Sequence, residues 1–196
     1  MIKDNNSPGK KDDPIWKGFH GQPLDDTHLK GRALAFAPPL VGYADENSTF
    51  LMENYFPAVH PNVLFWETVI LILHLVDRIS FDVLGDEKRK WFMDPLVMDI
   101  AERFAETTEE DADKEEMKKH FFAHYNGRFQ EYMTCKITTS RKEEGGSGIR
   151  NTLGWKFADI LNDGEVSEAN SAMPLIVAKI YAGLLDVLHL KGLLKG

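Results

Sequence analysis

The side chains with most chemistry to offer fall into two short clusters. Glu67, His74 and Arg78 lie on one line of a helix at 100° per residue, within roughly 20° of Glu67, and Asp77 stands one step to the side. The surrounding residues are Val, Ile, Leu, Phe and Trp, so this polar line must meet either water or buried partners, because an unpaired buried ion is costly. Two accounts compete. In the first the line is a solvent stripe, or holds an internal Glu67–His74 hydrogen bond with Asp77 or Arg78 paired to a neighbour. In the second, the four residues line a pocket for a small ligand, a cofactor or a metal inside a bundle.

The second cluster is Glu116, His120 and His124, spaced four apart, which puts one carboxylate and two imidazoles on one helix face. Such a row is the minimal helical clip for a divalent metal, a cofactor this chain would accept without needing it to fold. Phe121 stands where a zinc protease carries its general-base glutamate, and the paired Glu-x-x-His motifs of di-iron bundles are absent. If the two helices were antiparallel neighbours, Glu67 and His74 would meet His120 and His124 in one composite site. The plainer account leaves both histidines partly exposed or capping a neighbouring element.

Other motifs are incomplete. Gly145-Gly146-Ser147-Gly148, with Arg141, Lys142, Arg150 and Lys156 nearby, resembles an anion cradle running into a helix start. It lacks the Gly-Lys-Ser/Thr of a P-loop, and Ile149 stands where a serine-nucleophile elbow needs glycine, so a flexible linker is the better reading. Cys135 lies beside Lys136, which lowers a thiol pKa only where the charges converge in space.

The elements that must position these residues read as helices. Seven of the nine prolines fall before residue 62, which predicts an extended arm over residues 1–57, with one short helix near Ser48 to Phe56, in spite of its apolar Trp16, Leu24, Leu34, Phe36 and Leu40. His60-Pro61 opens a helix that should run to Gly85, ~25 residues and roughly 37 Å, and be buried nearly all round. Asp94-Pro95 should break the next helix and restart it. A capping box at Thr108 begins an acidic helix ending near Cys135, and further helices follow from Gly148 to Leu161 and from Ser171 to Leu190. The fold class is therefore all-α: one domain over residues 1–196, a bundle of five or six helices at 60–190 wrapped by a proline-rich, mostly irregular N-terminal arm. Its core should centre on Leu64, Trp66, Ile70, Leu73, Leu75 and Val76, packed by Phe121, Phe129, Trp155, Phe157, Ile180 and Leu184.

Charge narrows the function. The 196 residues carry 31 acidic against 23 basic side chains, a net charge of −8, which argues against a nucleic-acid partner. The apolar run Val63–Val76 is too short and too polar to span a bilayer, and three lysines spread over the last 25 residues make a weak membrane patch. With one cysteine and no apolar signal segment in Met1–Asn6, a reducing cytoplasm is the expected compartment. The sequence thus predicts a non-catalytic cytoplasmic protein acting through self-association or a protein partner, its apolar last helix read first as a core helix and second as half of a dimer interface. The alternative is a bundle, or an enzyme built on one, that binds a metal or small ligand through Glu67/His74 and His120/His124.

Overall fold

Asp25 accepts a hydrogen bond from the His28 N–H and so caps the first long helix, Asp26–Asn54 (α1), in the computed structural model, which describes residues 16–107, 111–137 and 150–195. After a short 3-10 turn at Lys17–Phe19 and α1 come α2 (Pro61–Ala105), α3 (Asp111–Met133), α4 (Leu153–Leu161), α5 (Glu168–Asp186) and α6 (Leu190–Lys195). Among the described residues the structure is helical apart from one parallel β-bridge between Lys136 and Thr152. The glycine loop at 145–148 and the capping box at 108–110 lie outside the described residues.

Part of the arm is the first correction, while its residues 1–15 lie outside the described residues. Residues 26–54 form a continuous helix rather than an irregular strap, with Pro38 and Pro39 inside it. Its buried positions, Leu29, Ala33, Phe36, Ala37, Leu40, Ala44 and Leu51, recur at three- and four-residue steps, and burying that stripe outweighs the two missing N–H donors. The carbonyls those prolines orphan belong to Leu34, which is exposed, and Ala35, which is half-exposed, so water can satisfy them.

The second correction concerns where α2 breaks. It passes through Pro95 without interruption and reverses at Gly85, where φ is +75° and ψ is 175°, a conformation only glycine adopts without strain. The result is a helical hairpin of residues 61–84 and 86–105. Its arms are antiparallel: Arg89 reaches back to Asp77 at 2.9 Å, and Phe104 packs on Trp66 with ring centroids 4.8 Å apart.

The α3 helix lies parallel to the first arm. Glu67 faces His124 and Arg128, His74 faces Phe129 and Tyr132, and Arg78 faces the carbonyls of Tyr132 and Cys135, a nearly constant offset along both helices. The core forms where the hairpin meets α1 and the C-terminal helices. Leu64, Ile70, Leu73, Leu75, Val76, Phe121, Phe157, Ile180 and Leu184 are buried as expected, while Trp66, Phe129 and Trp155 are half-buried.

The C-terminal helix packs as the first reading of its apolar face expects. Its apolar face is core: Ile176, Val177, Ile180, Leu184, Leu190, Leu193 and Leu194 are buried, leaving Leu175 and Val187 exposed. The fully buried Arg32 ties this end down by donating to the carbonyls of Leu193, Phe19 and Gln22, and Trp16 Nε1 donates to the Leu188 carbonyl at 2.8 Å. No described helix is long and apolar enough to cross a membrane.

Candidate functional site

The polar line on the first arm of α2 borders hollows on both sides of α3, yet most of its groups already have protein partners. Glu67 is buried, with its side chain 3% exposed. Its Oε1 accepts from His124 Nε2 at 3.0 Å and from Arg128, whose Nη2 lies at 2.8 Å; its Oε2 accepts from Arg128 Nε at 3.1 Å. Burial by itself would raise the Glu67 pKa, but the hydrogen bonds from His124 and Arg128 prevail and hold the carboxyl below its ordinary range.

Further along, His74 sits between the edges of the Phe129 and Tyr132 rings and accepts at Nε2 from Arg78 Nε at 2.9 Å. Burial, helped by the Arg78 charge, lowers its pKa to about 3, so the imidazole is neutral. Arg78 also donates to the carbonyls of Tyr132 and Cys135, where α3 ends. Asp77 accepts both of its hydrogen bonds from Arg89 Nη1, at 2.9 and 3.0 Å. Burial nevertheless pushes the Asp77 carboxyl above its usual range, because desolvation exceeds what Arg89 returns.

These contacts divide the expected sites. The parallel register brings Glu67 to His124 and carries His74 away to Phe129 and Tyr132, so the composite of Glu67, His74, His120 and His124 does not assemble. His120 pairs with Glu116 at 3.2 Å on the exposed side of α3, while His124 turns to Glu67. Among the described residues no group of three or more His, Cys, Asp or Glu side chains converges to hold a metal. The Cys135 thiol is raised rather than activated, since burial prevails over the nearby Arg78 and Lys156 charges.

Sequence reasoning missed Arg128 and Arg89. Arg128 continues the row His120, His124 by one more step of four and was legible; Arg89 becomes a partner of Asp77 only through the hairpin.

Several hollows flank the line. Between the second arm of α2 and α3, one of about 510 Å³ is lined by Met93, Val97, Met98, Phe122 and Tyr125, and its neighbour of about 650 Å³ by Arg78, Phe81, Met133 and Ile137. They share Asp77, Arg89 and Phe129, so they form one trough with the first arm of α2 as its floor. On the opposite face of α3, a cleft of about 460 Å³ is bounded by Val63, Trp66, Glu67, Met117, His120 and His124. No protein-family model, curated protein or solved structure matches this chain.

Proposed function

We propose that this chain works by association rather than catalysis, and that its first partner is a second copy of itself, joined through the trough between α2 and α3. One observation carries the reading: large apolar side chains that line the trough stand exposed there, among charges of both signs. Phe81, Met98 and Met133 are 51%, 47% and 58% exposed, and Met93, Val97, Phe122 and Phe129 line the trough with them, beside Asp77, Arg78, Asp82, Arg89, Lys90 and Asp94. A surface that carries exposed apolar groups and both signs of charge can complement itself, which is what an interface between two copies related by a two-fold axis requires. Methionine suits such a contact because its unbranched thioether fills irregular gaps.

The polar line supports the same reading from the other side. Glu67, Asp77 and Arg78 are committed to bonds that fix α3 and the hairpin, leaving no free nucleophile–base pair among them. The self-association expected from the last helix thus moves to a different surface, since that helix is core. We place this activity in a reducing cytoplasm, on the strength of the lone, half-buried Cys135.

Sedimentation equilibrium tests the proposal. A reversible dimer is expected in the micromolar range, and Met133→Glu should dissociate it without changing the helical circular dichroism. A wild type that stays monomeric over the whole accessible concentration range overturns self-association.

A further inference from the structure

We propose that the cleft between the first turns of α2 and the middle of α3 is a binding site for a small primary amine with an apolar body. It is separate from the association trough, because His120 and His124 project from the face of α3 opposite Phe122, Tyr125 and Phe129.

The walls set the ligand's shape. Val63, Trp66 and Met117 make an apolar hollow of about 460 Å³, the size of a cleft for a small organic molecule. The polar groups set its charge. Among the described residues no lysine or arginine lines this cleft: Arg128 approaches Glu67 from beyond it and lines the adjoining hollow, which adds the acidic Asp163 and Glu165.

Glu67 is buried at the boundary of both hollows. Its Oε1 is saturated by His124 and Arg128, but among the described residues Oε2 has one hydrogen bond, from Arg128 Nε, and retains an acceptor position. The cleft is lined by the Glu67 carboxylate, the His120 and His124 imidazoles, the Asn62 amide, a thioether and an indole, with no lysine or arginine among the described residues; its carboxylate, thioether and indole favour a positively charged donor over an anion.

Titrating the full chain with phenethylamine, 2-phenylethanol and 3-phenylpropionate at mildly alkaline pH separates charge from shape. The readouts are the Trp66 indole N–H and the Met117 methyl resonances. The amine should shift both saturably and bind at least tenfold tighter than the alcohol or the acid. Glu67→Gln should erase that preference. Val63→Trp, which fills the cleft from an exposed rim position, should abolish the shifts with the fold intact, and it keeps the test decisive should Glu67→Gln fail to fold. Equal binding of all three probes, tighter binding of the acid, or no saturable shift with the amine at millimolar concentration overturns the proposal, as does unchanged amine binding in Val63→Trp.

Discussion

Removing Arg128 tests the Glu67 anchor most severely. Arg128→Ala deletes the guanidinium that makes three contacts of 2.8 to 3.1 Å with a carboxylate whose side chain is 3% exposed, and leaves that buried charge with His124 alone. Breaking a fully buried pair from one side costs roughly 3–5 kcal/mol. Here Arg128 is 23% exposed and the His124 bond remains, which reduces the expected loss to about 2–3 kcal/mol. For a domain of this size that lowers Tm by roughly 4–12 °C. The sign with pH is fixed by the same contacts. In the wild type the Glu67 pKa is held below its ordinary 4.5, so its pairing stabilises the fold above that value and is lost as pH falls through the lower folded value. In Arg128→Ala desolvation dominates, the folded pKa rises, and the variant should regain ground on the wild type as acid neutralises the carboxyl. Urea denaturation at pH 7 and pH 4, repeated in a Glu67→Gln background, reads both effects. A loss below about 0.5 kcal/mol, or the same loss whether or not Glu67→Gln is present, would refute the reasoning, since coupled partners must be non-additive.

Further outcomes follow from particular backbone and ring positions. Gly85→Ala forces a side chain into a conformation reserved for glycine and should cost about 1–3 kcal/mol by chemical denaturation, whereas Gly127→Ala, helical with open space around its Cα, should stabilise by roughly 0.5–1 kcal/mol. The His74 ring should stay neutral by NMR from pH 8 to about 4.5, since its folded pKa is about 3. Because that value lies below the ordinary 6.5, His74 favours folding above 6.5 and should cost about 1.4 kcal/mol per pH unit below it, a slope that His74→Phe removes.

How much of this could be read from sequence depends on whether the governing contact is local. The first arm of α2 was legible because Pro61 and Gly85 punctuate it and its apolar run is continuous, and Glu67 stood out as a charge that such a helix must pair. The partner was half-legible, since His124 lies in a recognisable row whose next step, Arg128, went unread. Proline counting misled at α1, where the stripe from Leu29 to Leu51 was visible at helical spacing and outweighed Pro38 and Pro39. It misled again at Pro95, which a helix can carry when the orphaned carbonyl, that of Trp91, is only half-buried. Gly85 signals a stop in the sequence, but only the tertiary pairs Asp77–Arg89 and Trp66–Phe104 reveal a reversal. The parallel run of α3 was equally hidden, and it is what separates His74 from His124.

Self-association through the trough is the central claim, and methionine methyl NMR during dilution tests it most directly. Met98 and Met133 flank the trough, whereas Met173 is buried between other helices and Met52 lies on α1. On dilution from hundreds to a few micromolar, the Met98 and Met133 signals should move together along one binding curve while those of Met52 and Met173 stay fixed. Signals that do not change with concentration, or changes confined to Met52 and Met173, would contradict the claim.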